Sequence, residues 1–399
     1  MSAINGNADK SAAHRGTGAE RLRRRAYGGP IVDCDVHHNW ASHQALHPYL
    51  SAPWREFVLG PGRQGNIPLT AAGFFSVPNG NGREDAVPET GEPAGTDLGL
   101  MREQLLDPYG VERGVLTYGD GLFGISGVSN PYLAADVARA ANDWTAEQWL
   151  APEPRLFGSI LVANQLPLEA AREIRRWAGN PRMVQVIMAG SGLGKPLGHP
   201  VYDPIYEAAA ESGVAVAIHI GGQGGTQPFS TGGGPVNFYF EYHALLIEPL
   251  LTHLVSLIAH GVFEKYRDLR VMLLECGVAW VPGILWRLDA DYRSLRREIP
   301  WVKRLPSEYF MERCRLSTQP LELSPRREQL IQLLEAMHGR DLLCFSSDYP
   351  HWDTDDPNFI ASRLPKDWWP SVYHDNACKF YRWPLQESAT RSIDVAHAS

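Results

Sequence analysis

The order of apolar and polar residues along the chain predicts alternating strands and helices. From residue 30 onward, short apolar runs rich in β-branched residues alternate with longer segments whose apolar residues recur at helical spacing. Several short runs are apolar at every position, as is typical of strands covered on both faces. The strand-like runs are residues 30–36, 114–118, 156–162, 183–188, 214–220, 269–274, 314–317 and 342–346.

Amphipathic segments between these runs predict the helices. They cover residues 133–150, 168–178, 204–212, 244–264, 281–295 and 325–337, and we expect Pro249 to kink the fourth of them. Eight strands separated by helices favour a closed barrel over an open, doubly wound sheet. We therefore predict an α/β fold, namely a distorted (β/α)₈ TIM barrel that occupies residues 29–399.

Three stretches depart from this regular pattern. Residues 1–28 mix Gly, Ala, Ser and Arg without periodicity, which predicts a disordered N-terminal tail. Residues 40–96, after the first strand, are rich in Gly and Pro and predict an inserted loop region, either over the barrel mouth or as a plain surface excursion. Residues 221–235 are rich in Gly but lack the Gly-Lys-Ser/Thr ending of a phosphate-binding loop, which leaves a flexible lid or a linker.

Composition narrows the class of protein. With 44% hydrophobic residues, 21% charged residues and a net charge of -8, the chain is typical of a soluble globular protein and an improbable partner for nucleic acid. We see no apolar stretch long enough to span a bilayer and no signal-peptide core. We expect a cytoplasmic enzyme with a small-molecule substrate, no membrane or nucleic-acid partner, and a homo-oligomeric state such as a dimer. The five cysteines are interpreted as reduced core thiols.

Ionisable residues stand where predicted strands end, which is where the active site of such a barrel lies. Asp35 and His37 alternate along the first strand, in IVDCDVHHNW, and therefore point to one face. His219 closes the fifth strand and Asp348 follows the eighth. Taken alone, a histidine that closes a strand is more often a core residue, and an aspartate that follows a strand is usually a cap or turn residue. Together, two imidazoles and two carboxylates predict a site for one divalent metal ion, Zn²⁺ first, with Mn²⁺ or Fe²⁺ acceptable.

Further side chains at the same rim have candidate roles. Glu275 ends the sixth strand, where a carboxylate is either a functional acid/base or the partner of a cation such as Arg287. Asp348 is a candidate proton acceptor as well as a candidate ligand. The candidate catalytic residues are therefore Asp348, Glu275 and His219. Candidate substrate contacts are Trp40, His243, Arg287, His351 and Trp352, although core packing explains the tryptophans nearly as well.

The segments DCDVHH, VAIHIGG, GVFEKYRDLRVMLLECGVAWVPGILWRLD, FSSDYPHWD and HDNACKFY resemble the amidohydrolase superfamily. The resemblance covers residues 30–382 and points to the branch that includes aminocarboxymuconate semialdehyde decarboxylase and γ-resorcylate decarboxylase. It implies a distorted barrel with one catalytic divalent ion on Asp35, His37, His219 and Asp348. Two positions depart from the pattern: Asp35 replaces the first histidine of His-x-His, and Glu275 replaces a histidine that handles protons in the decarboxylases.

These features are compatible with several reactions. Our first hypothesis is hydrolysis of a C–N or C–O bond in a small aromatic or cyclic carboxylic substrate by a metal-activated water. The alternatives are non-oxidative decarboxylation of an aromatic acid and Lewis-acid dehydrative cyclisation, while a metal-bound structural or sensing protein would use the ion without turnover. The three reactions share every motif, and the replacement at Glu275 argues against decarboxylation.

Overall fold

Eight parallel strands form a single sheet in the computed structural model, which describes residues 25–62, 67, 81–189, 194–221, 230–231, 234–245 and 247–385. Each strand pairs with the next one along the chain. We number them β1 (Ile31–Val36), β2 (Val111–Leu116), β3 (Leu156–Leu161), β4 (Met183–Ala189), β5 (Ala215–His219), β6 (Val271–Leu274), β7 (Cys314–Ser317) and β8 (Leu343–Cys344).

Backbone hydrogen bonds between β1 and the segment directly after β8 close this sheet into a barrel. The Cys34 amide donates to the Phe345 carbonyl at 3.0 Å, and the Asp348 amide donates to the Asp35 carbonyl at 3.1 Å. The closure is irregular because β8 has two residues and the pairing of β1 with β2 shifts register after Asp33. The predicted distorted (β/α)₈ barrel is therefore confirmed.

Helices surround the barrel between successive strands. The α-helices are Ala52–Leu59, Leu98–Met101, Asp107–Tyr109, Asp120–Ile125, Pro131–Thr145, Pro167–Trp177, Asp203–Ser212, Tyr239–Ala244, Ile247–Ala259, Val262–Lys265, Val281–Leu295, Pro306–Arg313, Arg327–Ala336, Gly339–Leu342, Pro357–Arg363 and Asn376–Tyr381. Tighter 3₁₀ turns are His43–Tyr49, Glu84–Ala86, Pro200–Tyr202 and Lys366–Trp368, and wider π-type turns are Arg102–Leu106, Ala146–Leu150 and Ser371–Asp375.

Local sequence explains where these helices begin and end. The Asn130 side chain accepts hydrogen bonds from the amides of Tyr132 and Leu133, so it caps the helix that Pro131 opens. Pro249, which we expected to kink a helix over residues 244–264, belongs to a helix whose first described residue is Ile247. It lies in the first turn of Ile247–Ala259, where the missing amide hydrogen has no intrahelical partner to lose.

The core lies inside the barrel and between the barrel and its helices. Every residue of β1, β5, β6 and β8 is buried, as expected for strands with covered faces. All five cysteines are buried and free, which agrees with the interpretation as core thiols.

Parts of the irregular regions lie beside the barrel mouth. The Arg83 amide donates to the Pro350 carbonyl, and the Trp352 amide donates to the Asn81 carbonyl, so the end of the 40–96 region runs along the segment after β8.

Residues 1–24, 63–66, 68–80, 222–229 and 232–233 lie outside the described residues. Tyr27, within the predicted tail, is buried and stacks on Tyr373 with ring centroids 4.9 Å apart. In the Gly-rich stretch, Ser230–Thr231 pairs antiparallel with Gly234–Pro235.

One helical stretch, Tyr239–Ala259, is long and apolar enough by composition to cross a membrane, contrary to our sequence analysis. It includes residue 246, which lies outside the described residues. Core helices of soluble proteins meet the same criterion, and within this stretch Leu250, Leu254 and Leu257 are buried.

Candidate active site

Asp35, His37, His219 and Asp348 converge at one end of the barrel. One potential ligand atom from each lies within 4.8 Å of the others, and all four side chains are buried. His37 Nε2 is 2.9 Å from Asp348 Oδ1, and His219 Nε2 is 3.4 Å from Asp35 Oδ2. The four residues that sequence reasoning assigned to a shared ion therefore form one cluster.

The barrel architecture accounts for this convergence. Asp35 lies near the end of β1 and His37 just beyond it, while His219 is the last residue of β5. Asp348 follows β8 with a left-handed φ of 58°, an unfavourable conformation for a non-glycine residue that turns the chain where the barrel closes. Because parallel strands end at the same edge, side chains distant in sequence meet there.

Hydrogen bonds orient both histidines towards the centre of the cluster. The Nδ1 atom of His37 bonds to the Tyr118 carbonyl, and the Nδ1 atom of His219 lies 2.7 Å from the Ile220 carbonyl. A carbonyl only accepts, so each neutral ring carries its hydrogen on Nδ1 and directs the lone pair of Nε2 towards the carboxylates. This is the arrangement of metal-ligating histidines.

The carboxylates complete a donor set for a cation. Thr117 Oγ1 donates to Asp35 Oδ1 at 2.5 Å, which fixes the orientation of one candidate ligand carboxylate. Asp348 Oδ1 is buried and accepts no hydrogen bond from the described residues. Lone pairs of nitrogen and oxygen facing each other across about 3 Å are repulsive without a proton or a metal between them, so this cluster is able to hold one divalent cation.

The charges of the cluster also favour a bound cation. Burial alone would lower the pKa of His37, but the carboxylates of Asp35 and Asp348 outweigh burial and raise this pKa to about 9. Burial opposes ionisation of Asp348, yet the adjacent His351 and His37 hold the pKa of this carboxyl well below its usual range. The cluster thus attracts positive charge, which a divalent cation also supplies.

Glu275 lies beside the cluster of Asp35, His37, His219 and Asp348. Its Oε2 is 3.3 Å from His219 Nε2, is buried, and accepts no hydrogen bond from the described residues. Burial, reinforced by the negative charges of Asp348 and Asp353, raises the pKa of Glu275 well above the usual range. Arg287, which we expected as its possible cationic partner, is exposed on the outer helix Val281–Leu295.

His351 supports Asp348 from outside the cluster of four. Its Nδ1 lies 3.0 Å from Asp348 Oδ2, and its ring stacks on that of His37 with centroids 4.2 Å apart. Ligand atoms of His37, Glu275, Asp348 and His351 also lie close enough together to share an ion. The two possible donor sets overlap at His37 and Asp348.

Aromatic and polar side chains, which together we call the aromatic wall, border the cluster. The Trp352 indole donates to the Tyr239 hydroxyl at 3.2 Å, and the ring of His243 lies 5.4 Å from that of Trp352. Burial mainly raises the pKa of Tyr239, and the carboxyl groups of Asp353 and Glu275 raise it further, so its hydroxyl stays protonated. This wall therefore offers ring faces and a hydroxyl close to Glu275.

Sequence reasoning missed two polar members of this wall. Asp353 Oδ2 lies 3.1 Å from both His243 Nε2 and Gln319 Nε2. Gln319 lies two residues after the end of β7, so the strand-end rule that selected Asp348 would also have selected it. Trp40, by contrast, is buried and packs edge-on against Trp144 at 5.8 Å, as a core residue does.

Comparison with known proteins assigns the family. The Amidohydro_2 model, described as amidohydrolase, matches residues 32–383, which is most of the chain. The protein therefore belongs to the amidohydrolase family and is an enzyme of this superfamily, as the resemblance of its motifs implied.

Several named relatives are decarboxylases. The chain is 26% identical over 271 residues to γ-resorcylate decarboxylase from Rhodococcus jostii, covering 64% of this chain and 78% of the relative. Its fold matches 5-carboxyvanillate decarboxylase from Sphingomonas paucimobilis with a TM-score of 0.61 at 23% identity, over 89% and 99% of the two chains. It also matches 5-carboxyvanillate decarboxylase from Novosphingobium aromaticivorans, complexed with manganese and 4-hydroxy-3-methoxy-5-nitrobenzoic acid, with a TM-score of 0.65 at 20% identity, over 93% and 99%.

These relatives correct two of our expectations. Hydrolysis, our first hypothesis, is contradicted, and the decarboxylase alternative is favoured. We had given weight against decarboxylation to the replacement of a histidine by Glu275, but a buried carboxyl that retains its proton can supply a proton as an imidazolium can. Zinc, our first choice of metal, has no specific support, whereas the solved relative contains manganese.

Proposed function

We propose that this protein is a manganese-dependent, non-oxidative decarboxylase of a hydroxylated aromatic acid. The observation that carries the proposal is the position of the Glu275 carboxyl, 3.3 Å from His219 in the cluster that is able to hold a cation. An acid beside a cation site is what protonation of a ring carbon requires. The named decarboxylases among the relatives support the same reaction class.

Asp35, His37, His219 and Asp348 would hold the metal. Two carboxylates suit Mn²⁺ better than a purely nitrogen or sulfur donor set would, and two imidazoles are compatible with it. When bound, the ion would neutralise and orient the carboxylate and a neighbouring hydroxyl of the substrate. Thr117 and the carbonyls of Tyr118 and Ile220 keep these ligands in position.

Glu275 would provide the proton that replaces the departing carboxylate. As the bond between the ring carbon and the carboxylate breaks, CO₂ leaves and the electron pair stays on the ring carbon. That carbon takes the proton from the Glu275 carboxyl, which becomes a carboxylate and is reprotonated from water. The burial of Glu275 among other acids favours its protonated form before the reaction.

The aromatic wall would bind the ring of the substrate. Trp352 and Tyr239 present ring faces next to the cluster, and offset or edge-to-face packing stabilises aromatic pairs. His243, His351 and the Tyr239 hydroxyl would contact polar substituents. We do not extend this role to Trp40, which is packed in the core, or to Arg287, which is exposed on the outer helix.

The test is a product assay with the full chain after metal removal and reconstitution with Mn²⁺. The substrates are 2,6-dihydroxybenzoate, 5-carboxyvanillate and other hydroxybenzoates, with anilides and lactones as probes of hydrolysis. We expect CO₂ and the decarboxylated arene in equal amounts from at least one acid, and none from the metal-free protein. Hydrolysed anilide or lactone without CO₂ from any acid, or full activity in excess chelator, would overturn the proposal.

A further inference from the structure

His38, the second histidine of the DVHH motif, is buried next to the metal cluster but faces away from it. Its ring stacks on Trp144, with centroids 5.5 Å apart and planes inclined by 12°. Its Nε2 lies 2.8 Å from Thr145 Oγ1, and its Nδ1 accepts the Tyr118 backbone amide at 3.3 Å. Both ring nitrogens therefore have protein partners, and His38 is not a metal ligand.

The partners of His38 determine its tautomer. A backbone amide can only donate, so Nδ1 of His38 is an acceptor. The neutral ring then carries its hydrogen on Nε2 and donates it to the Thr145 hydroxyl. His38 thus has the opposite tautomer to His37, whose Nδ1 donates to the carbonyl of the same residue, Tyr118.

Tyr118 is the link between the two histidines. It has a left-handed φ of 62°, which is unfavourable for a bulky non-glycine residue and persists only where the surroundings hold it. Its amide is held by His38, and its hydroxyl donates to Asn142 Oδ1 at 2.8 Å. Asn142 and Thr145 both belong to the helix Pro131–Thr145, which packs outside the barrel.

We propose that His38 is a positioning residue for the metal ligand His37. It acts through Tyr118: by accepting the Tyr118 amide, it fixes the strained backbone whose carbonyl receives the His37 Nδ1–H. This contact keeps Nε2 of His37 directed at the metal cluster, and it transmits the rigidity of the outer helix to the site. The inference rests on the proposed metal-binding function, because it assumes that His37 is a ligand.

Three substitutions, two at His38 and one at Thr145, separate the contacts of His38. In His38→Asn, the side-chain oxygen takes the place of Nδ1 and is able to accept the Tyr118 amide, whereas the contact to Thr145 is lost. In His38→Gln, the longer amide reaches towards Thr145 and leaves the Tyr118 amide without its acceptor. Thr145→Val removes the other partner of His38 and leaves the Tyr118 contact in place.

The measurement is the Kd for Mn²⁺ of each purified protein, by competition with a fluorescent chelator, together with the thermal midpoint of the metal-free form. We expect His38→Gln to weaken Mn²⁺ binding by about 10- to 100-fold, as loss of partners that orient ligands does, and the other two variants to stay within about threefold of wild type. Wild-type affinity in His38→Gln, or an equal loss in His38→Asn or Thr145→Val, would overturn the positioning role. Wild-type protein that binds no Mn²⁺ would instead refute the proposed function.

The tautomers provide a test that needs no variant. Long-range ¹H–¹⁵N spectra of wild-type protein with ¹⁵N-labelled histidine distinguish a protonated from a bare ring nitrogen. In the metal-free protein, where no paramagnetic Mn²⁺ broadens the signals, we expect His38 to be protonated at Nε2 and bare at Nδ1. A His38 ring protonated at Nδ1 would contradict the proposal even if His38→Gln does not fold.

Discussion

Replacing Thr117 by valine should weaken metal binding without altering any ligand. Valine has nearly the shape of threonine but cannot donate the hydrogen bond that Thr117 Oγ1 gives to Asp35 Oδ1 at 2.5 Å. A hydrogen bond to a charged group contributes about 1.5–3 kcal/mol. Both side chains are buried, so water does not replace the lost donor.

We expect two measurable effects of this substitution. The Kd for Mn²⁺ should rise by about 10- to 100-fold, which corresponds to about 1.4–2.7 kcal/mol of binding free energy. The metal-free protein should lose about 1–3 kcal/mol of unfolding free energy, because the buried Asp35 carboxylate has lost a partner. Chelator competition measures the first quantity and urea denaturation the second.

Ser159→Ala is the matched control. The Ser159 hydroxyl is also buried inside the barrel, but it donates to the Leu116 carbonyl at 2.6 Å rather than to a metal-cluster carboxylate. Its Mn²⁺ affinity should remain within about threefold of wild type, since it orients no ligand. Unchanged Mn²⁺ affinity in Thr117→Val, with the control also unchanged, would refute the inference that Thr117 orients Asp35 as a ligand.

Three further predictions follow from other contacts. Glu275→Gln keeps the shape of the side chain but removes its transferable proton, so kcat for decarboxylation should fall by about 10²- to 10⁴-fold while Mn²⁺ content is retained; an unaltered kcat would exclude Glu275 as the acid. His219→Ala removes one ligand and should abolish stoichiometric Mn²⁺ binding while the circular dichroism spectrum is retained; full metal content would remove His219 from the ligand set. Burial lowers the pKa of His253 to about 4, below its ordinary 6.5, so the unfolded chain takes up the proton first and stability is lost as pH falls from 6.5 to 4. At pH 5 the loss of unfolding free energy is about 2 kcal/mol relative to pH 7. The variant His253→Asn, whose side-chain oxygen can still accept the Leu197 amide, should not show this loss in urea denaturation. Equal pH dependence of the two proteins would contradict the effect of burial on His253.

The barrel and the convergence of Asp35, His37, His219 and Asp348 were predictable because they depend on local pattern. Alternation along IVDCDV places Asp35 on the same face as its neighbour at position 37, and β5 ends in a histidine after four apolar residues. Once eight strands alternate with helices, the rule that parallel strands end together assigns both ends to one site. That rule needs no knowledge of individual contacts.

Features that depend on tertiary contacts were not predictable in this way. Arg287 was a reasonable ionic partner for Glu275 because the two residues are close in sequence. In the structure, however, Arg287 lies on the exposed face of its helix. The wall containing Asp353 and Gln319 is assembled by side chains from three separate segments. The residue at which the helix containing Pro249 begins is likewise not evident from the apolar pattern.

The sequence did not determine the reaction type. Hydrolysis, decarboxylation and dehydrative cyclisation all use a divalent ion and a neighbouring acid or base, so the residues of the cluster do not separate them. The difference lies in the substrate bonds presented to that ion. Comparison with relatives, rather than the geometry of the cluster, corrected hydrolysis to decarboxylation as the favoured class.

The most direct test of the central claim is a crystal structure of the Mn²⁺-reconstituted protein, with anomalous scattering measured on both sides of the manganese absorption edge. Our account predicts one strong anomalous peak per chain, within coordination distance of Asp35, His37, His219 and Asp348. A peak at another location, or no peak at saturating Mn²⁺, would contradict it.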